Sequence, residues 1–188
     1  KMKLRGIELR RRDTIKLVAD CQHEILETFS FAKDAEGVRK LIPEALRILK
    51  SYVGLIRNGK IPLNDLIIVN SLSKNFNEYT SNISQAAAVK QLAEEGLELM
   101  AGQSVSYVIT KFNSKNPREK VRPVQLLNPS VKYDKGRYVA LLVRGIASIL
   151  QPFGFDEEQL FDVVRHESNQ TNLLSIINSF REDRPVSD

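Results

Sequence analysis

The chain has very little of what disulfide-linked, zinc-binding and membrane-spanning proteins require. Its 188 residues include one cysteine, Cys21, two histidines, His23 and His166, and no tryptophan. One cysteine excludes a disulfide framework within the chain, and these three residues provide no zinc-ligand spacing. The sequence contains no run of about 18 apolar residues and no secretory signal. It therefore predicts a soluble, cytoplasmic protein with no membrane partner.

Groups for catalysis are equally scarce. His23 and His166 have no nucleophile or carboxylate partner at a recognisable spacing, which favours a solvated or core position for both. The densest acidic cluster, Asp156-Glu157-Glu158, lies where a helix is predicted to begin, and acids at that position complement the helix dipole. The sequence alone therefore predicts no catalytic residue and no metal site in this chain.

Charge is distributed unevenly along the chain. The net charge is +5, but residues 1–20 carry seven basic and three acidic side chains, a local charge of +4. From residue 150 onward, three basic and eight acidic side chains give a local charge of −5. We expect a polyanion to be attracted to the N-terminal end and the middle of the chain and repelled by its C-terminal end. This asymmetry suits a protein that binds DNA with one end and another protein with the other.

Hydrophobic periodicity and breaker residues predict a helix-rich α+β domain with one sizeable core and a small sheet, preceded by an edge strand. Asp13 is predicted to cap a helix that ends near Phe29, and a second helix is predicted for residues 34–57, with Gly59 as its C-cap. Pro43 in this second helix requires a kink or a fresh helix start. The other predicted elements are strands at 66–69, 97–99, 105–109 and 121–126, a helix capped by Ser84 and stopped by Gly96, and a helix that starts at Asp134.

The N-terminal segment carries the first resemblance to a known family. It reads Arg5-Gly6-Ile7-Glu8-Leu9-Arg10-Arg11-Arg12-Asp13, a strand-like run that ends in three arginines. This run resembles the Arg-Gly-(Ile/Leu)-Glu-x-x-Arg-Arg-Asp element through which archaeal family B DNA polymerases pass from the last palm strand into the thumb.

Further segments resemble the same polymerase region in the same order. Residues 59–68 are similar to an Ile-Pro turn that leads into a Leu-x-Ile strand, and residues 72–79 to the family's Ile-Thr-Arg-Pro-Leu-x-x-Tyr. Residues 85–96 and 102–109 resemble a helix, a glycine and a Gly-x-x-(Ile/Val)-x-Tyr strand. The remaining similar pieces are Tyr133-Asp134 with Tyr138, and Ile149-Leu150-Gln151-Pro152-Phe153-Gly154-Phe155.

The resemblance implies a domain organisation and an assembled activity. Residues 1–13 would end the palm, residues 14–165 would form the helix-rich thumb, and residues 166–188 would form a clamp-binding tail. A chain of 188 residues resembles the small subunit of the split family B polymerase of some methanogenic archaea, or else a fragment of a single-chain enzyme. The assembled protein would be a DNA-directed DNA polymerase, a nucleotidyltransferase that extends primers in replication.

The family's metal-binding motifs do not occur in this chain. Polymerase chemistry needs paired aspartates that hold two metal ions, and the Asp-x-x-Ser-Leu-Tyr-like and Tyr-Gly-Asp-Thr-Asp-like palm motifs are both missing. The resemblance therefore implies that this chain binds no cofactor. Mg²⁺ is expected in the active site of a large partner chain that carries the palm, fingers and exonuclease. That partner would also pair with the otherwise unpaired first strand.

Eight residues are predicted to contact primer-template DNA. Arginine binds phosphate oxygens through a planar fork that stays charged, and hydroxyls, amides and lysine suit contacts that do not read sequence. On spacing alone these residues are an ordinary basic strand, a polar loop and a helix cap. At two positions the chain departs from the family, because Lys74-Asn75 replaces Arg-Pro and Gln85 replaces a common histidine. The predicted DNA-binding residues are Arg5, Arg11, Arg12, Ser71, Ser73, Lys74, Thr80 and Gln85.

The C-terminal segment 170–177 fits the Gln-x-x-aliphatic-x-x-hydrophobic-hydrophobic pattern of sliding-clamp-binding boxes. In this chain an isoleucine pair replaces the usual aromatic pair. The alternative is an amphipathic helical end that packs on its own domain. The predicted clamp-binding residues are Gln170, Leu173, Ile176, Ile177 and Phe180. A different class of function is also open, namely a non-enzymatic DNA-binding adaptor that tethers another factor to the clamp.

Overall fold

A computed structural model describes residues 14–79 and 83–165 of the chain. The helices are α1 (Lys16–Phe29), α2 (Ala35–Arg57), α3 (Ser84–Glu94), α4 (Pro117–Lys120), α5 (Lys135–Leu150) and α6 (Glu157–Arg165), and the strands are β1 (Ile68–Ser71), β2 (Ser104–Ile109) and β3 (Val121–Pro123). Short 3-10 turns occur at Leu63–Leu66, Phe76–Glu78, Val124–Leu126 and Gln151–Phe153. The predicted α+β class, helix-rich with a small sheet, is confirmed.

Helix α5 lies at the centre of the helical layer. It packs against α1, α2 and α6, and α1 also packs against α2. These four helices are amphipathic, and each turns an apolar stripe into one shared core. Fully buried members of this core are Cys21, Ile25, Leu46, Leu49, Leu142, Ile146, Leu150 and Leu160. The apolar residues whose helical spacing predicted α1 and α5 are therefore the residues that these two helices bury.

The three strands form one antiparallel sheet in the order β1-β2-β3. Ile68 pairs with Tyr107 at one end of the β1–β2 ladder and Ser71 pairs with Ser104 at the other, while Ile109 pairs with Val121. Helix α3 packs on β2 and β3 through residues 86–89, which are all buried. The sheet and α3 together make a second layer.

The ends of α2 and α5 follow the sequence prediction closely. The Asp34 side chain accepts a hydrogen bond from Gly37 N at 2.7 Å, and the Asp134 side chain accepts one from Arg137 N at 2.9 Å. Both aspartates therefore satisfy backbone donors that the first turn of a helix leaves free. Gly59 adopts φ +70° just after α2, where a left-handed residue closes the helix and glycine avoids a Cβ clash. Helix α2 continues through Pro43 without a break, so the alternative of a fresh helix start is wrong.

Two predicted caps are wrong. Ile15 occupies the N-cap position of α1, which excludes the predicted cap at Asp13, a residue outside the described part of the chain. Ile83 occupies the N-cap position of α3, so Ser84 is already the first helical residue and makes no capping hydrogen bond. A residue with a suitable side chain near a helix start therefore did not identify the N-cap residue itself.

Strand boundaries also differ from the prediction. The segment 97–99 forms no strand, because Leu97 N donates to Leu92 O at 2.8 Å to close α3 and Leu99 O accepts from Phe76 N at 3.0 Å in a loop contact. Strand β3 ends at Pro123, which has no N–H to continue a ladder, and a 3-10 turn follows. The third difference is the start of β1, at residue 68 instead of 66.

No single helix in the described ranges is long and apolar enough to cross a membrane, and one sharply bent pair, α5 with its following turn and α6, reaches the required length and composition only jointly.

Candidate nucleic-acid interface

Four of the predicted DNA contacts lie at one corner of the sheet. Ser71 ends β1, Ser73 and Lys74 follow it, and Gln85 lies in the first turn of α3. The Gln85 side-chain nitrogen donates to Ser71 O at 3.0 Å and lies 3.4 Å from the Tyr79 hydroxyl. Strand β1, the loop after it and helix α3 therefore meet at this corner, and the structure brings Ser71 and Gln85 into direct contact.

A set of backbone hydrogen bonds fixes the segment that carries Ser73 and Lys74. Leu72 is buried, and its N–H donates to Gln103 O at 2.7 Å while its carbonyl accepts from Gly102 N at 2.8 Å. Ser73 and Lys74 are exposed and lie between this anchored residue and Asn75, whose backbone N–H and side chain are also hydrogen-bonded. Their side chains are thus presented to solvent from a backbone that is held on both sides.

Asn75 explains one departure from the family pattern, in which proline is usual at this position. Its side-chain oxygen accepts a hydrogen bond from Ala101 N at 3.0 Å, and its backbone N–H donates to the Glu78 carboxylate at 3.1 Å. Proline could provide neither bond, because it has no N–H and no side-chain acceptor. The substitution therefore replaces a rigid residue by one that fixes the loop through hydrogen bonds.

The Gln85 side chain makes hydrogen bonds within the protein, a structural role that its position in the sequence did not predict. A glutamine amide nitrogen has two hydrogens, and its acceptors here are Ser71 O and the Tyr79 hydroxyl. Phosphate oxygens only accept hydrogen bonds. A direct bond from Gln85 to a phosphate would therefore require one internal bond to be released, whereas Ser73 and Lys74 face solvent already.

Asp134, which the family resemblance singled out, joins β2 to α5. Besides capping α5, its carboxylate accepts a hydrogen bond from Phe112 N at 2.9 Å, and its own N–H donates to Ile109 O at 2.9 Å. The residue before it, Tyr133, donates its hydroxyl to Ile56 O near the end of α2 at 3.0 Å. The Tyr-Asp pair is thus a structural joint between the two layers.

Tyr138 completes this joint and explains why β1 starts late. Its hydroxyl donates to Leu66 O at 2.7 Å and accepts from Ile109 N at 2.9 Å. In the register that pairs Ile68 with Tyr107, Leu66 would lie opposite Ile109. The Tyr138 hydroxyl is inserted between these two residues and replaces their direct backbone bond. Burial raises the pKa of Tyr138 well above its ordinary value, so the hydroxyl stays protonated and keeps both bonds.

A second polar region, which the sequence interpretation did not select, surrounds the β2–β3 loop and the start of α5. We call residues 111–137 the basic segment. It contains eight basic side chains and two acidic ones, a local charge of +6. A charge count over this window would have identified it. The basic residues are Lys111, Lys115, Arg118, Lys120, Arg122, Lys132, Lys135 and Arg137.

Phe112 organises several of these cations. The Arg137 guanidinium lies 3.8 Å from the centre of the Phe112 ring, and Lys120 Nζ lies 6.0 Å from it. Both distances fall within the range of cation–π attraction. Glu119 lies on the same loop and pairs with Lys111 at 3.0 Å, and this hydrogen bond lowers the pKa of the Glu119 carboxyl.

The described residues offer little for catalysis. Within residues 14–79 and 83–165 there is no group of three or more His, Cys, Asp or Glu side chains placed to hold a metal ion. Of the two positions left open for His23, solvated or core, the structure shows the solvated one, since its side chain is 70% exposed and lies 3.9 Å from Glu27. Cys21 is buried, and burial raises the pKa of its thiol, which disfavours the reactive thiolate.

Several predicted residues lie outside the described part of the chain, and their roles stay predictions. They are Arg5, Arg11, Arg12, Thr80, His166, Gln170, Leu173, Ile176, Ile177 and Phe180.

Comparison with known proteins shows that the sequence is similar to those of one family. The family model for DNA polymerase family B matches residues 1–153. A DNA polymerase of Thermococcus gorgonarius is 26% identical over 162 residues, which are 85% of this chain and 20% of that protein. DNA polymerase 3 of Saccharolobus shibatae is 24% identical over 169 residues, 90% of this chain and 20% of that protein.

A solved structure gives the same result for the fold. The family B DNA polymerase from the hyperthermophilic archaeon Pyrobaculum calidifontis superposes with a TM-score of 0.63 at 23% identity, over 77% of this chain and 18% of that one. This chain therefore spans about a fifth of the length of the relatives that it matches. Because the family model covers most of the sequence, the chain belongs to DNA polymerase family B.

Proposed function

We propose that this chain is the thumb part of an archaeal family B DNA polymerase and holds primer-template duplex during template-directed synthesis. The observation that carries the proposal is the sheet corner, where Ser73 and Lys74 are exposed on a backbone fixed to the sheet. Hydroxyl and ammonium groups bind phosphate and sugar oxygens of any sequence equally, as a polymerase requires.

The catalytic metals are proposed to lie elsewhere in the polymerase. Two Mg²⁺ ions need closely spaced carboxylates, and the described residues of this chain do not supply such a cluster. The acids of the first turn of α6 are engaged differently, because Asp156 exchanges hydrogen bonds with Gln159 and caps the helix. We therefore assign metal binding and nucleotide addition to a large polymerase chain or region that carries the palm, fingers and exonuclease.

Substitution of Lys74 by glutamate tests the duplex contact. Primer-template binding by the 188-residue chain should weaken about tenfold for every DNA sequence, since a hydrogen bond to a charged group contributes roughly 1.5 kcal/mol. The named basic contacts Arg5, Arg11, Arg12 and Lys74 predict a log-log salt slope of about −3.6, and loss of one contact should reduce its magnitude by about 0.9. Fluorescence anisotropy between about 50 and 200 mM salt measures both quantities.

The matched control for this variant is Lys40→Glu. Lys40 lies on α2, its side chain is 72% exposed, and its replacement changes the net charge by the same amount. We expect Lys40→Glu to bind duplex nearly as well as the unaltered chain. If both substitutions weaken duplex binding equally, the loss comes from the change in net charge and not from a contact made by Lys74. If the unaltered chain does not bind duplex, the proposal is refuted.

The clamp-binding role is tested by removing residues 168–188, which contain the box-like pattern. In the assembled polymerase, clamp-dependent synthesis of long products should be lost, because the proposed plug is gone. Short, distributive extension should continue, since the packed core lies before this segment. Product lengths on a primed single-stranded template, with and without clamp, measure the effect. Undiminished clamp stimulation after the truncation would exclude the tail as the tether.

A further inference from the structure

We infer that residues 173–180 of the tail (residues 166–188) dock into an apolar cleft at the α1–α2 turn of their own chain, and that the cleft competes with the sliding clamp for them. This docking rests on the proposed clamp-binding role and adds a means of regulating it. Its support comes from the exposed Phe31, the cleft beside that residue, and the pattern, length and charge of the tail.

Phe31 is the most exposed large apolar side chain among the described residues, with 80% of its surface open to solvent. Its backbone is nevertheless held, because Phe31 N donates to Thr28 O at 3.3 Å and Ala32 N donates to Phe29 O at 3.1 Å. The neighbouring Phe29 turns inward and packs edge-on against Phe153, with ring centres 5.9 Å apart. The turn therefore holds Phe31 away from the core of its own domain, where another apolar group can cover the ring.

A cleft of about 460 Å³ lies beside Phe31, within the range of roughly 300–1,000 Å³ found for binding clefts. Ala32, Gly37 and the half-buried Leu41 also line it. A Cβ atom on Gly37 would lie 3.2 Å from the Ala32 Cβ, so the turn is closely packed at this point. Phe31, Ala32 and Leu41 thus give an apolar lining to a space that is large enough for several side chains.

The tail supplies apolar side chains at helical spacing. Leu173, Ile177 and Phe180 are separated by four and three positions, so they would lie on one face of a helix. All three are also predicted clamp-binding residues. The same side chains cannot fill the cleft and a clamp pocket at once, so docking of the tail would exclude the clamp.

The tail is long enough to reach the cleft. The cleft lies at the start of α2, and α6, which ends directly before the tail, packs against α2. Helix α2 has 23 residues and is therefore about 34 Å long. Residues 166–172 can extend over about 23 Å, and residues 173–180 add about 12 Å as a helix. The tail can therefore span the length of α2 from any point at which α6 packs on it.

Charge also favours this occupant. The tail has two basic and four acidic residues, a charge of −2, whereas residues 33–40 have three basic and two acidic ones, a charge of +1. Of these two acids, Asp34 already caps α2, and Glu36 pairs with Lys40 at 3.0 Å. The start of α2 adds the positive end of a helix dipole. An acidic segment is therefore attracted to this region more than a basic one.

Because the tail belongs to the same chain, a weak contact is sufficient. A short flexible linker keeps a tethered segment at a local concentration on the order of 1 mM. A docking constant of about 0.1 mM would then leave the tail docked in about nine of ten chains. A clamp that needs the free tail binds with an apparent affinity that is reduced by the free fraction, here about tenfold.

The substitution Phe31→Ser in the 188-residue chain tests the docking. Serine removes an exposed ring, so the domain should stay folded, which circular dichroism verifies. We expect amide hydrogen exchange in residues 173–180 to become about tenfold faster, because the tail is released. The dissociation constant for the sliding clamp of the same organism should fall about tenfold for the same reason. Mass spectrometry of exchanged peptides and surface plasmon resonance on immobilised clamp measure the two quantities.

The matched control is Leu97→Ser. Leu97 is another exposed apolar residue, 48% exposed, and it follows α3 in the other layer of the domain. Its replacement should leave both the exchange of residues 173–180 and the clamp affinity within about twofold of the unaltered chain. The comparison separates loss of the cleft from loss of any exposed apolar side chain.

Unchanged exchange of residues 173–180 in the Phe31→Ser chain would overturn the docking, and clamp binding by both chains would then leave the clamp-binding role intact. Protection that decreases when the chain is diluted would assign the cleft to a second copy and would also overturn it. Faster exchange with equal clamp affinity would overturn the competition. If exchange responds as expected but neither chain binds the clamp, the clamp-binding role fails while the docking contact stands.

Discussion

Replacement of Tyr138 by phenylalanine is expected to lower the free energy of unfolding by about 3 kcal/mol. The hydroxyl is fully buried and satisfies two backbone groups, the carbonyl of Leu66 and the N–H of Ile109. Phenylalanine fills the same space but leaves both groups without a partner, and a buried unsatisfied polar group costs roughly 1–3 kcal/mol. The gap between the strands is set by the ring, so the two backbone groups cannot simply close onto each other.

Tyr133→Phe is the control for this substitution. The Tyr133 hydroxyl makes one hydrogen bond, to Ile56 O, and its side chain is only partly buried, so water can replace the lost donor. We expect a loss below about 1 kcal/mol. Urea titration followed by circular dichroism gives both values, with an unchanged m-value showing that the same surface unfolds. Equal losses for the two variants would contradict the bridging role of Tyr138.

Replacement of Gln91 by leucine should cost about 2–3 kcal/mol. Gln91 is 4% exposed, and its side-chain nitrogen bonds two carbonyls, those of Pro117 and Val121. Its side-chain oxygen lies 3.5 Å from the Arg122 guanidinium. Leucine would leave the buried carbonyl of Val121 unsatisfied and remove the other two contacts. The same urea titration measures the loss, and amide hydrogen exchange should show the segment 111–122 opening more often than α5.

The same substitution at Gln22 provides the comparison. Gln22 is completely buried between α1 and α5, where its nitrogen donates to Gly145 O at 2.7 Å, but its side-chain oxygen has no hydrogen-bond partner. Leucine removes one good bond together with one unsatisfied acceptor, and the two effects oppose each other. Gln22→Leu should therefore change stability by less than about 1 kcal/mol. A loss as large as that for Gln91→Leu would show that burial alone, and not the hydrogen-bond pattern, determines the cost.

The helices were predictable from sequence because their determinants are local. The apolar residues of α1 and α5 recur at helical spacing, and Asp34 and Asp134 precede their helices directly. The start of β1 was not predictable in this way. It depends on the Tyr138 hydroxyl, which lies 72 residues away from Leu66 in the chain. A pattern of β-branched and apolar residues at 66–69 contains no information about such a distant group.

For the candidate site, the structure shows that the polar residues around Ser71 and Gln85 converge at one corner of the sheet, whereas their DNA-binding role stays a prediction. That the Gln85 amide is turned inward could not be inferred, since a surface glutamine and a structural glutamine have the same spacing on a helix. The predicted attraction of a polyanion to the middle of the chain did not name the basic segment, although its local charge of +6 exceeds the +4 of residues 1–20.

The central position of α5 also constrains when this domain can fold. Contacts such as that between Gln22 and Gly145 join residues 123 positions apart, and the hydroxyl that spaces the sheet strands comes from the same late helix. During synthesis the earlier helices and strands emerge long before their main packing partner. Contacts between distant positions slow folding, because chain entropy is lost before they form. We therefore expect the nascent chain to keep its apolar surfaces exposed until residue 150 has left the ribosome, and to collapse cooperatively only then.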